Sequence, residues 1–168
     1  HRAFPENSIG VVMPCHSNPA DEEDARLAAA AIGLNIIKIE LSQEHQLLYD
    51  SVRDCLTAQG FALTAQSDRL GDANLRARLR MAALYTVANL LNYLVVGTDN
   101  AAETYTGYFT KYGDGGVDIL PLSQFTKREV RFLAGRLGVP ERIIAKTPSA
   151  GLWLGQTDEE EMGTTYEM

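Results

Sequence analysis

The chain has 168 residues, enough for one ordinary domain, and its charged groups sum to −7. That acidity argues against a nucleic-acid surface, which needs a basic field, and no apolar run is long enough to span a membrane. Apolar types make up 45% of the residues, too many for a disordered chain, and the two cysteines, Cys15 and Cys55, form neither a metal-type pair nor a disulfide framework, so a reducing cytosol is the default compartment.

Residues Ile9 to Met13 (IGVVM), bounded by Asn7-Ser8 and Pro14, suit a buried strand of a parallel sheet. Asn18 then offers an N-cap with Pro19 at the first helical position, and Asp21, Glu22 and Glu23 bring negative charge to the positive end of the helix dipole. This Ala-rich helix should stop at Gly33. Asn35 to Leu41 reads as a second strand. Ser42 can cap a helix whose apolar stripe is Leu48, Val52 and Leu56.

Gly60 to Gly71 is polar and reads as a loop. A long helix is expected from about Ala73, where Ala77, Met81, Leu84, Ala88 and Leu91 recur at offsets of four, three, four and three. Tyr93 to Val96 is the next strand, ending at Gly97-Thr98. Asp99 to Gly116 mixes aromatics, Thr and Gly without a period, which predicts a functional loop rather than a connector.

Asp118 to Leu122 is a short strand. Thr126-Lys127-Arg128-Glu129 carries a capping box, and Val130, Leu133, Ala134 and Leu137 follow on one face until Gly138-Val139-Pro140 stops the helix. Pro140 opens a short helix to Ala145. Pro148 to Gly155 is a loop, and Asp158 to Met162 starts an acidic helix. Strands alternating with helices predict an α/β fold, a Rossmann-like three-layer α/β/α sandwich with a mostly parallel sheet. Ligands of such sheets bind beyond the carboxyl ends of the strands.

Several residues stand where chemistry is expected. Thr98 and Glu103 lie just past a strand end, where a hydroxyl and a carboxylate suit a phosphate and a hard divalent ion; the plainer alternative is loop groups satisfied by solvent. Lys127 falls in the first turn of a well-capped helix, where the dipole disfavours a cation, so either a bound phosphate resolves the conflict or the ammonium is merely solvated. Arg76 and Arg80 share a helix face and Arg78 points away from them. Any of these arginines can clamp an anion or lie along the surface. Lys111 and Asp118 bracket a Gly-rich turn that does not have phosphate-loop spacing. The pairs Cys15/His16 and His45/Cys55 read as structural, and Trp153 as a core anchor or a stacking ring.

Four segments together resemble the ammonia-dependent NAD synthetases: VMPCHSNPADEEDA, LRARLRMAALYTVAN, VVGTDNAAETYTGYFTKYGDGGVDILPLSQFTKREVRFLA and KTPSAGLWLGQTDEEEMG. They cover nearly the whole chain in order. The resemblance implies the sheet of the adenine nucleotide alpha hydrolases in a single domain over 1–168. It implies an enzyme, a ligase of NAD biosynthesis. Such ligases use ATP and Mg2+ to turn the nicotinate carboxylate of deamido-NAD into an adenylate, releasing pyrophosphate. Ammonia then displaces AMP.

By the same resemblance Thr98, Lys127, Ser149, Val12, Met13 and Asn18 are ATP-binding residues, Glu103 is the Mg2+ carboxylate, and Arg78, Lys111 and Asp118 contact deamido-NAD. A homodimer completes the deamido-NAD site, partly through the long helix. No individual catalytic side chain is assigned, and no nucleic-acid or membrane partner is expected. The family's Ser-Gly-Gly-x-Asp-Ser phosphate loop and a late His-Lys pair are absent from these residues. We therefore expect the stretch to be part of a larger protein and inactive by itself. A non-catalytic nucleotide-binding module and a GMP-synthetase-type amidator are the alternatives, the first disfavoured by Glu103 and Lys127, the second by Thr110-Lys111-Tyr112-Gly113-Asp114.

Overall fold

The computed structural model describes residues 1, 3–151 and 156–166. The reading of Trp153 lies outside them. Among the described residues no helix is long and apolar enough to cross a membrane.

The first unit is β1 (Gly10–Val12), α1 (Pro19–Ile32) and β2 (Ile36–Lys38), with the two strands parallel and Gly10, Val11 and Val12 opposite Ile36, Ile37 and Lys38. The predicted caps form. Asn18 accepts the Ala20 N–H, Pro19 opens the helix, and Gly33 closes it at φ 71°, in the left-handed region open to a residue without Cβ. Glu22 reaches both Arg26 and Lys38, at 2.7 Å each, tying α1 to β2. β1 was expected to be a buried strand, yet its residues are only half-buried and Ile37 of β2 is exposed.

The chain continues into α2 (Ser42–Ala58) and α3 (Ala65–Leu91), which pack on each other. Two expectations change here. The Ser42 hydroxyl is not the cap of α2; it accepts the His16 N–H at 2.9 Å and donates to Glu40 at 2.6 Å, fastening the loop after β1. And α3 begins eight residues before Ala73, because Thr64 and Ser67 form a reciprocal capping box that overrides the polar composition of the predicted loop. The phenol of Tyr49 on α2 donates to Asp68 at 2.8 Å and holds this first turn down.

The stripe Leu48, Val52 and Leu56 was expected to pack inward, yet Leu48 and Val52 are exposed, as are Leu47 and Leu70. Among the described residues the buried apolar positions are mostly small: Cys15, Ala29, Leu41, Ala73, Ala77, Ala88 and Val95.

Beyond α3, the predicted strands 93–96 and 118–122 meet only at one parallel bridge, Val96 to Ile119. The Val95 N–H donates to the Asp118 carboxylate at 2.7 Å, so a side chain replaces one rung of the ladder. The supposed irregular loop 99–116 contains α4 (Ala101–Thr106), whose capping box joins Asn100 and Glu103. Then come α5 (Lys127–Arg136), with the expected Thr126–Glu129 box, α6 (Glu141–Ile144) and α7 (Asp158–Met162).

Gly97 sits where the crossing is tightest. A Cβ there would lie 2.6 Å from Leu120 Cδ2 and 2.7 Å from Val117 Cγ2. Gly97→Ala should lower unfolding free energy by about 1–3 kcal/mol, the usual overpacking cost. Urea titration would show it, and an unchanged midpoint would mean that the two side chains yield freely.

Candidate active site

The carboxyl ends of β1 and of the 95–97 segment open onto one broad cleft of about 1610 Å³. Thr98, Glu103, Lys127, Ser149, Val12, Met13 and Asn18 all line it. Seven residues from four separate stretches of sequence thus face one cavity. Arg78, Lys111 and Asp118 are not among its lining residues. Arg78 and Lys111 are joined to each other, and Asp118 contacts α3 separately through Tyr85. Arg78 Nε donates to the Lys111 carbonyl at 3.2 Å, and the Asp118 carboxylate accepts from Tyr85 at 2.9 Å. Asp114, from the same turn, does line the cleft.

Glu103 is the hub. As the N3 residue of α4 it accepts the Asn100 N–H through Oε2 at 2.8 Å. Its Oε1 accepts from Lys127 Nζ at 3.1 Å and from the Tyr166 hydroxyl at 3.0 Å. The dipole conflict at Lys127 is therefore settled within the protein: the ammonium pairs with Glu103 and lies 4.9 Å from the Tyr166 ring centroid. The merely solvated alternative does not describe that arrangement.

The α7 segment docks on this hub. Tyr166 also reaches Asp158 at 3.0 Å, and Tyr108 donates to Glu161 at 2.6 Å. Burial, with the neighbouring carboxylates, pushes both phenols well above the ordinary tyrosine range, so they remain hydrogen-bond donors. Ser149 sits on a segment pinned to α1: Lys146 Nζ contacts Asp21 and Asp24 at 2.7 Å each, and Arg142 reaches Asp24 at 3.0 Å. The Ser149 hydroxyl accepts the Gly151 N–H at 3.0 Å.

Sequence reading missed Asp99 and left open which of the arginines enter the cleft. Asp99, next to Thr98, is buried, and its pKa is pushed up to about 6 by burial first and then by Asp114 and Glu103. Arg76 and Arg80 line the cleft while Arg78 does not. Their four-residue spacing signalled a common face, but not which way that face looks. Outside the cleft, His45 on α2 is buried, stacks on Tyr49 with centroids 5.6 Å apart, and places Nε2 3.3 Å from Asp72. Burial lowers its pKa, so it acts as a neutral wedge between α2 and α3. The reading of Cys15 and His45 as structural agrees with their burial, whereas His16 lines the cleft at φ 53°.

For a divalent ion, the described residues present no group of three or more His, Cys, Asp or Glu that could hold one unaided. One cleft-facing carboxylate such as Glu103 fits Mg2+ better than other metals, because Mg2+ keeps waters and shares substrate phosphates rather than filling a protein cage.

The chain is 57% identical to an NH3-dependent NAD+ synthetase of Alkaliphilus oremlandii over 166 residues, covering 99% of this chain and 66% of that protein. It is 54% identical to the same enzyme of Alkaliphilus metalliredigens, covering 100% of this chain and 68% of the relative. It thus spans about two thirds of the curated relatives' length. Among solved structures it superposes on the NMN synthetase of Francisella tularensis with TM-score 0.83 and 39% identity, over 95% of this chain and 63% of that one. With the NAD synthase family model matching residues 1–168 from end to end, the chain belongs to the NAD synthase family.

Proposed function

We propose that this chain forms most of the nucleotide site of an ATP-dependent ligase that amidates deamido-NAD to NAD with ammonia. The observation that carries the reading is the meeting of Thr98, Glu103, Lys127 and Ser149 in one cleft beyond the strand ends.

A carboxylate is a poor electrophile, so the reaction needs a leaving group. The nicotinate oxygen attacks the α-phosphorus of ATP, and pyrophosphate leaves. Ammonia then attacks the acyl carbon, and AMP leaves. In this reading Val12 and Met13 give the adenine an apolar wall beside Asn18, and Thr98 and Ser149 offer hydroxyl donors to the nucleotide. Lys127 brings a cation to the polyphosphate from a mobile stem. Glu103 would hold Mg2+, which when bound neutralises polyphosphate charge. Arg78, Lys111 and Asp118 would hold deamido-NAD on the adjoining face, where Lys111 and Arg78 are already joined through the Lys111 carbonyl.

The exposed Leu47, Leu48 and Val52 of α2 and Leu70, Leu90 and Leu91 of α3 support the homodimer reading, since a second copy could cover some of these apolar side chains. A soluble, cytoplasmic enzyme accords with the acidic composition.

The test is product analysis on the full-length protein with deamido-NAD, MgATP and ammonium chloride. One AMP and one pyrophosphate per NAD is the expected stoichiometry. Preference for the mononucleotide would move the substrate to that of the Francisella neighbour. Nucleotide binding without turnover would favour a non-catalytic module.

A further inference from the structure

We propose that Arg80 is an anion-binding residue of the cleft: one edge of its guanidinium holds the loop after β1, and its remaining donors face a phosphate of the bound nucleotide. The proposal rests on the nucleotide reading above and adds a residue and a ligand group to it.

Arg80 projects from α3 across to the β1–α1 loop. Its Nε donates to the Met13 carbonyl at 3.1 Å and its Nη2 to the Ser17 hydroxyl at 3.0 Å. A guanidinium carries five N–H donors in a rigid fork, so these two bonds leave most of the outer edge uncommitted. That edge belongs to a residue lining the cleft.

Its counter-charge is missing from the fold. Arg76, one turn earlier, is paired with the Asp72 carboxylate. Among the described residues Arg80 has no carboxylate within ion-pair distance; the acids it senses, Asp114 and Asp21, act only from farther away, and Arg76 repels it. Burial lowers its pKa, which expresses the cost of holding the charge out of water. A half-buried cation without a counter-ion is held at a cost unless something supplies the negative charge. A neutral side chain could have met the two loop acceptors. The retained charge is therefore explained by an anion that enters the cleft. The loop it anchors bears Met13 and Asn18, so the donors lie where the base and the phosphates of one nucleotide would adjoin.

Calorimetry on the full-length protein tests this with inorganic pyrophosphate, ATP and adenosine. The proteins are the wild type, Arg80→Gln, Arg80→Lys and Ser17→Ala. Arg80→Gln should weaken pyrophosphate and ATP about tenfold or more, the size of one charge-assisted hydrogen bond, and leave adenosine within about twofold. Arg80→Lys should recover part of the loss, and Ser17→Ala, which removes a loop bond but no charge, should leave pyrophosphate unchanged. Equal losses for adenosine and ATP would reduce Arg80 to a loop prop and overturn the proposal, as would undiminished pyrophosphate binding in Arg80→Gln. Pyrophosphate binding that depends on Arg80 in a wild type indifferent to adenosine and ATP would keep the anion site and dismiss the nucleotide reading. A wild type that takes none of the three would dismiss both.

Discussion

Lys127→Ala should lower kcat for amide formation by about 10²–10³-fold, the range seen when one preorganised charge donor is removed from a transition state. Glu103→Gln should do comparable damage by a different route. Lys127 and Glu103 form one 3.1 Å pair, 22% and 14% exposed, at the point where three elements meet. Removing the ammonium deletes the cation meant for the polyphosphate, while Glu103 keeps its bonds to Asn100 N and Tyr166. The fold should survive with a loss of about 1 kcal/mol. Removing the carboxylate charge instead frees Lys127 and weakens the α4 cap, so its signature is a raised Mg2+ requirement together with a lower melting temperature. Steady-state kinetics over ATP and Mg2+ concentrations would separate the two. Near-wild-type turnover in Lys127→Ala would remove the cleft from the chemistry.

The second large effect concerns Asp99. Its pKa is raised from an ordinary 3.8 to about 6, so the folded protein binds the proton more tightly than the unfolded chain does. The sign follows from that. Stability from this group is fully present below pH 4 and is lost as pH rises through about 6. A shift of this size corresponds to about 2–3 kcal/mol. Asp99→Asn, which mimics the protonated form, should be no more stable than wild type at pH 4 but more stable by about that amount at pH 7. Urea unfolding of both proteins at the two pH values measures it, and differencing the proteins cancels every other titrating group. A gap that does not change with pH would mean that Asp99 is ionised at little cost.

The reason for tolerating such a residue lies in its position. Asp99 follows Thr98 at the end of a segment whose only ladder contact is one bridge, with Asp114 and Glu103 as its charged neighbours. Uncompensated charge beside a ligand cleft costs stability in the empty protein and is relieved by what binds there, a trade common at functional sites.

Much of the local structure was legible because its causes are short-range. Asn18-Pro19, Gly33 and the Thr126–Glu129 box each write a helix end into a few adjacent residues, and each formed as read. The Thr64–Ser67 and Asn100–Glu103 boxes were equally local, and polar composition hid them in supposed loops. The family motif in GTDNAAE likewise marked Thr98 and Glu103 without any structure.

Tertiary structure decided the rest. Which two arginines of the three face the cleft depends on how α3 is rotated against β1, a matter of packing that no helical period contains. The partner of Lys127 sits twenty-four residues away, on an element that composition did not reveal as a helix. The raised pKa of Asp99 exists only because burial strips its water and two distant acids approach. Caps and periodicity are free energies of neighbours along the chain, so sequence alone set them. Charge, solvation and counter-ion choice are free energies of neighbours in space, and these exist only once the chain has folded.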